Sequence, residues 1–497
     1  MSEPCDLSAV SARRLIGARK LSPVELTESC IARAERVDHA VNAMVARCFE
    51  RARSEARAAE AAVMRGDALG ALHGLPLGVK DLIDAEGLPT TYGSTAFASN
   101  VAAKDEAIVA MLKRAGAIVL GKTNTPEWGA GGNTRNAIYG ATGNAFDPRK
   151  SAAGSSGGSA VALATGMVPL ATGSDTGGSV RNPAAFNGVV GFRPSPGLIA
   201  SDTRNMAWLQ ISQLGPMARS VGDTCLMLST MLEPDVRDPL SAILHAGGAP
   251  DPATYAAPPA VDLSSLRIAL TPDFGFAPTE RLITRTFWDK VALFTSTFAK
   301  AEPAHPDCRD ADDVFQVIRA VAFLGRHREL VATMPHKVGP NVRANVAEGL
   351  SYSAADVARA LSLQTAMYRA WQEFFRSYDF ILAPSVTISP RSWRELYPAE
   401  IDGKATKTYF HWLALAYAVT NVGHPVVALP VGLDTAGMPF GIQVIGPRGG
   451  DLATLAVARA LETLLADDPR TARPVPDIAG LAGAPAIASM AGFREFD

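Results

Sequence analysis

The stretch GSSGGSAVALATGMVPLATGSDTGGSVR, running from Gly154 to Arg181, carries two Gly/Ser clusters, Gly154-Ser155-Ser156-Gly157-Gly158-Ser159 and Asp175-Thr176-Gly177-Gly178-Ser179. An apolar, Ala-rich segment of helix-forming character joins them. Glycine lacks a Cβ, so such clusters let the backbone turn with positive φ and bring its own N–H groups up to a ligand. A serine closing a glycine run is placed to attack a carbonyl while neighbouring amides hold the oxyanion. Gly/Ser runs also make flexible linkers. A linker does not recur on both sides of an apolar segment and then lead into an apolar strand, Val189–Phe192.

Outward from this stretch, strands and helices alternate. Towards the N-terminus, Ser22-Pro23-Val24-Glu25 is a capping box with proline at the first helical position, and two helices are predicted from there to about Val63. Leu72 to Val79 reads as a strand that delivers Lys80-Asp81 at its end, Asp105 to Gly116 as a helix, and Ala117 to Leu120 as a buried strand. A Gly/Asn-rich loop, Gly129 to Asn144, leads into the central stretch. Towards the C-terminus, strands are predicted at Leu266–Leu270, Ile381–Pro384, Val426–Val431 and Gly441–Ile445. Helices are predicted at Arg281–Ala299, Asp312–Thr333, Ala355–Phe375, Tyr409–Thr420 and Leu452–Leu464. This alternation predicts an α/β protein whose mixed, mostly buried central sheet is covered by helices on both faces.

Although 497 residues would divide into about three average domains, no repeat or clear linker breaks the chain, which reads as one large domain. Its expected divisions are 1–65 as an N-terminal helical segment, 66–225 as the core bearing the chemistry, 226–410 as a mostly helical pocket region, and 411–497 as strands and a helix that complete the core. A hydrophobic content of 47% against 19% charged residues supplies a large core. The net charge of −2, without a basic block, argues against nucleic acid or an acidic membrane surface as partner. The most apolar run, Ala414 to Leu433, is broken by Asn421, His424, Pro425 and Pro430, so no membrane span is expected. Five dispersed cysteines and an N-terminus without a charged-then-apolar leader pattern point to reduced thiols and a cytoplasmic location.

Two pattern matches fail on context. Gly116 to Thr123 fits the P-loop expression, yet its four middle residues are the predicted strand rather than a phosphate-cradling loop. Gly154 to Gly158 fits the G-x-S-x-G nucleophile elbow, which would nominate Ser156 with His411 or His424 as base. That elbow needs a strong strand before the serine, where the chain has the polar turn Asp147–Ser151. The eight histidines show no paired metal-ligand spacing, so neither metal nor cofactor is expected.

What remains is a lysine ending an apolar strand and two serine clusters. Lys80 in GLPLGVKDLID, the GSSGGSA run and GSDTGGSVRNPAAFNGVVGFRPSPG closely resemble the amidase signature family of serine hydrolases. Leu214–Arg219, Tyr378-Asp379, Thr420-Asn421 and Gln443–Pro447 resemble further blocks of that family, so the likeness covers most of the chain. The resemblance implies the amidase signature fold and a Ser–cis-Ser–Lys triad: Ser179 as the acyl-enzyme nucleophile, Ser155 after a cis Gly154–Ser155 bond as the bridging serine, and Lys80 as the base. Ala152-Ala153 departs from the Pro-Gly more usual in the family before that glycine. The amides of Thr176, Gly177, Gly178 and Ser179 are expected to form the oxyanion hole, with Gly129 beside them. Asp175 and Arg181 are expected to fix the loop as an ion pair.

The physics agrees with that triad. A serine hydroxyl needs a base, no histidine lies in either cluster, and lysine serves only when burial keeps it neutral. The expected activity is hydrolysis of neutral apolar or aryl amides, extending to carbamates, with a small-molecule substrate, no cofactor, and homodimerisation left open. The glutaminase subunit of a tRNA-dependent amidotransferase and a non-catalytic scaffold are the alternatives. Phe315, Phe323, Tyr368, Trp371, Phe374, Tyr409, Phe410 and Trp412, with Met206 and Trp208, supply the aromatic and apolar candidates for a pocket. Apart from Arg204, no positive cluster marks a site for a substrate carboxylate.

Overall fold

Ser22 caps the first long helix, α1 (Pro23–Val41), in the expected way. Its Oγ accepts the Val24 N–H while the Glu25 carboxylate accepts the Ser22 N–H, both at 2.9 Å. The computed structural model describes residues 3–494. After α1 the chain adds a short strand, β1 (Met44–Arg47), and a second helix, α2 (Phe49–Arg65). Then come β2 (Pro76–Lys80), β3 (Ile118–Thr123), β4 (Leu170–Asp175), β5 (Val190–Arg193), β6 (Gln213–Ala218), β7 (Arg267–Leu270), β8 (Lys300–Pro303), β9 (Phe380–Pro384), β10 (Val426–Leu433) and β11 (Pro439–Ile445).

These eleven strands form one sheet in the order β1-β3-β2-β4-β6-β5-β10-β11-β9-β7-β8. It is mixed. The β3-β2-β4 and β9-β7-β8 neighbours run parallel, and the remaining pairs run antiparallel. Every residue of β2, β3, β5, β6, β9 and β11 is buried. Side chains alternate across a strand, so burial at both parities requires cover on both faces, and helices supply it. The fold is the single α/β domain expected, with its core running through the sheet from end to end.

The differences from the sequence reading have local causes. β4 reads LATGSD, too small and polar to register as an apolar run, yet it lies mid-sheet between β2 and β6. β8 reads KAEP at the sheet edge, where one side has no partner and charged residues are tolerated. The helix at Arg281 stops at Val291 rather than Ala299, giving way to a 3-10 turn at Thr295–Thr297. β3 continues past Leu120 to Thr123. It puts Lys122, the lysine of the P-loop match, inside the protein with its amine on the Ile83 carbonyl and the Thr90 hydroxyl. That lysine cradles no phosphate.

The chain joining the two serine clusters is a helix, α3 (Gly157–Ala164), followed by β4. α3 starts hard against the backbone leaving β3. A Cβ on Gly158 would lie 2.2 Å from the Asn124 nitrogen and 2.7 Å from the Ala43 oxygen. Neither neighbour is a side chain that can swing away. Gly158→Ala is therefore expected to destabilise the protein by about 1–3 kcal/mol or more. Gly483→Ala, where nothing lies within 4 Å, should stay within about 0.5 kcal/mol. Thermal unfolding of the two variants checks this, and equal melting temperatures would contradict the close approach.

Candidate active site

Lys80 ends β2, and the Thr172 hydroxyl of neighbouring β4 accepts its backbone N–H at 2.9 Å. Its side chain is wholly buried. The amine is ringed by hydroxyls: Ser155 Oγ at 2.7 Å, Ser156 Oγ at 2.8 Å and Ser174 Oγ at 2.9 Å. No carboxylate pairs with it among the described residues. Burial pulls its pKa from the ordinary 10.5 to about 7, against the opposing pull of the Asp175 charge. A neutral amine can accept a proton from a hydroxyl it touches.

The Gly154–Ser155 peptide bond is cis. Ser155 is buried, and Ser156, the next residue, precedes the first turn of α3. Ser179 lies in the loop after β4, half-buried at the wall of a cavity that Ser155 and Gly129 also line. A Cβ on Gly129 would sit 3.2 Å from Ser155 Oγ, so this glycine keeps the cavity open beside that hydroxyl. The Ser179 carbonyl accepts the Ser156 N–H at 3.1 Å and ties the two serine clusters together.

Asp175 anchors the loop. Its carboxylate accepts from Arg181 Nε and Nη2, both at 2.9 Å, from Arg193 Nη1 at 3.0 Å, and from the N–H groups of Gly178 and Val180. Burial opposes its ionisation, but the charges of Arg181 and Arg193 and these bonds hold the carboxyl well below the usual range. Arg181 also donates to the Ala416 carbonyl, Gln443 and Thr420, so the far C-terminal strands and helix clamp the loop. The sequence reading saw the Asp175–Arg181 pair and missed Arg193, which closes β5 and lies within the quoted GSDTGGSVRNPAAFNGVVGFRPSPG block.

One expected oxyanion donor is corrected. The Gly178 N–H points at Asp175 Oδ1, at 2.9 Å, and is not free for a substrate oxygen. Gly178 serves instead as the turn residue, at φ 106°. The N–H groups of Thr176, Gly177 and Ser179 meet no protein acceptor among the described residues.

The cavity has a volume of roughly 200 Å³. Of the aromatic candidates, Phe315, Phe323, Tyr409 and Phe410 line it, as does Met206. Trp371 and Trp412 are core residues, and Tyr368 and Phe374 pack against the core. Trp208 points outward, 76% exposed. Tyr92, Trp128 and His327 also line the cavity and were missed. The expectation of no positive cluster is overturned: Arg319 and Arg326 join Arg204 on the wall. Arg319 and Arg326 come from the helix α4 (Ala311–Thr333).

The elbow alternative finds no base. His424 bonds to the Gly446 carbonyl and Gln372, and His411 lies beside Asp312. Neither touches Ser156, whose partner is Lys80.

A family profile described as Amidase matches residues 25–455. An acylamidase of Rhodococcus erythropolis is 32% identical over 463 residues, covering 92% of this chain and 95% of its own. A glutamyl-tRNA(Gln) amidotransferase chain of Chloroflexus aurantiacus is 30% identical, with 93% of this chain and 98% of that protein covered. Among solved structures, a bacterial aryl acylamidase of the amidase signature enzymes superposes with a TM-score of 0.84 at 26% identity, covering 96% and 99% of the two chains. A 6-aminohexanoate cyclic dimer hydrolase complexed with substrate gives a TM-score of 0.80 at 26% identity over 96% of this chain and all of its own.

Burial of Lys80 makes folding pH-dependent. The unfolded chain binds the proton with a pKa near 10.5 and the folded chain only near 7. Between those values the unfolded state holds more protons, so stability climbs with pH, and below about 7 the contribution is lost. Urea unfolding at pH 6, 8 and 10 should show the parent gaining on Lys80→Met by a few kcal/mol, to an order of magnitude, across that window. A constant difference would show that the lysine titrates normally.

Proposed function

Because this chain belongs to the amidase signature family of amide-hydrolysing enzymes, we propose that it cleaves amides with an apolar or aryl group at the scissile bond, and the related aryl carbamates, through an acyl-enzyme on Ser179. One observation carries the reading. The Lys80 amine is buried from solvent, contacts hydroxyls and, among the described residues, no carboxylate, and sits 2.7 Å from a serine that shares a cavity with Ser179.

In this mechanism neutral Lys80 takes the Ser155 proton as Ser155 takes the Ser179 proton, and Ser179 Oγ attacks the carbonyl carbon. The two serine hydroxyls share no hydrogen bond in the unliganded protein, and such contacts tighten once substrate is bound. The carbonyl π pair moves onto oxygen and meets the N–H groups of Thr176, Gly177 and Ser179, where losing one donor typically costs about 3 kcal/mol. Collapse of the adduct breaks the carbon–nitrogen bond. The proton held by Lys80 returns through Ser155 to the departing amine. Water then attacks the ester, the relay removes its proton, and the acid leaves with Ser179 restored. Ser156 and Ser174 hold the amine in place.

The aromatic wall of Phe315, Phe323, Tyr409 and Phe410 suits an apolar or aryl group. Five free cysteines fit a reducing, cytoplasmic setting. The likeness to a glutamyl-tRNA(Gln) amidotransferase keeps a glutaminase as the second reading.

Ser179→Ala is expected to lose about 10³-fold or more in kcat with the fold intact. Intact-mass analysis after a fluorophosphonate should show one adduct, mapped to Ser179. For a 4-nitroanilide, kcat/KM should rise with pH through about 7 and then level off, since the neutral lysine is the active form. An adduct on Ser156 would sink the assignment. Glutamine preferred tenfold or more over the nitroanilide, a difference of about 1.4 kcal/mol, would move the protein to the glutaminase reading.

A further inference from the structure

The cavity wall farthest in chemistry from the serines is a built cationic surface. Tyr92 and Trp128 both adopt left-handed backbone, at φ 54° and 51°. This conformation is uncommon for aromatic residues and clusters at functional sites. Their rings stack at 4.2 Å and 8°, and Phe97 closes edge-on against each at 5.3 Å. On the Trp128 ring, 5.1 Å from its centre, lies the guanidinium of Arg326. Arg326 lines the cavity, is exposed, and meets no acceptor among the described residues.

The other charges on the wall do not answer it. Arg319 is committed to Asn345 and the Tyr409 hydroxyl and lies over the Phe323, Tyr409 and Phe410 rings. Arg204 has Asp238 at 3.7 Å, and its own Nη1 makes no hydrogen bond despite burial. Among the described residues the cavity's single carboxylate is Glu106, which accepts from the Thr203 hydroxyl at 2.9 Å and which burial pushes up to about 7. At neutral pH the wall therefore carries an excess of positive charge. A guanidinium over an indole and, among the described residues, without a hydrogen-bond acceptor of its own is a ready partner for a planar carboxylate, with two parallel hydrogen bonds in reach.

We propose that this cavity takes amides bearing a carboxylate several bonds from the scissile carbon–nitrogen bond, and that Arg326, held on Trp128, selects that carboxylate. The proposal rests on the amide-hydrolase reading and names its substrate class. The scissile amide still meets the apolar wall, and the remote charge meets Arg326.

The test uses the full-length protein and matched pairs of probes. On the acyl side these are 4-nitroanilides of the succinic, glutaric and adipic half-acids against the same compounds ending in carboxamide. On the amine side they are 4-(acetylamino)benzoate against 4-(acetylamino)benzamide. At least one carboxylate should exceed its carboxamide tenfold or more in kcat/KM. That ratio should fall tenfold or more in Arg326→Gln, chiefly through KM, and recover in part in Arg326→Lys, which keeps the charge but not the fork. No carboxylate preference in any pair, or a preference that survives Arg326→Gln, would overturn the proposal while leaving amide hydrolysis standing. No turnover of any probe, carboxamides included, would overturn the amide-hydrolase reading and the proposal with it.

Discussion

A lysine amine buried from bulk solvent and, among the described residues, without a counterion is the constraint on which the rest of the site depends. An ammonium in that position is costly, and the folded protein resolves the cost by favouring the neutral form. The position exists because β2 is buried along its whole length and ends inside the protein, next to β4. Hydroxyls of Ser155, Ser156 and Ser174 then satisfy the amine without supplying a charge that would restore its basicity. The carboxylate whose charge acts on the amine, Asp175, is turned away to two arginines.

That second arrangement matters as much. Asp175 ends β4, and its carboxylate gathers Arg181, Arg193 and two backbone N–H groups of the Ser179 loop. Charges buried this way must be mutually satisfied, since removing one partner typically costs about 3–5 kcal/mol. Arg181 reaches on to Ala416, Thr420 and Gln443, more than 230 residues away in sequence. The loop carrying Ser179 is thus tied to the far C-terminal part of the chain, which joins the serine-bearing segment and the C-terminal strands in one domain.

The sequence disclosed most of this where residue types were constrained by chemistry. Lys80 at a strand end and the apolar runs of β3, β9, β10 and β11 read correctly from composition and spacing. β4 did not, because its strand character comes from its place between neighbours rather than from side chains. The pocket was half legible. Aromatic residues could be named, but helical spacing does not distinguish Phe315, facing the cavity, from Trp371, facing the core. Arg326 and Trp128 lay beyond sequence reasoning altogether, because a loop and a helix some 200 residues apart in the chain must meet before their pairing exists. Gly178 shows the reverse error. A glycine amide in the right cluster was assumed to face the substrate, and it faces Asp175.

The most direct measurement is the titration of the Lys80 amine itself. In protein labelled with ¹³C at lysine Cε, comparison with Lys80→Met identifies its resonance, which is then followed from pH 5 to 11. A midpoint near 7 is the predicted result. A midpoint near 10.5, the ordinary value for lysine, would mean that the amine is charged at neutral pH, and the account of Lys80 as the base would fail.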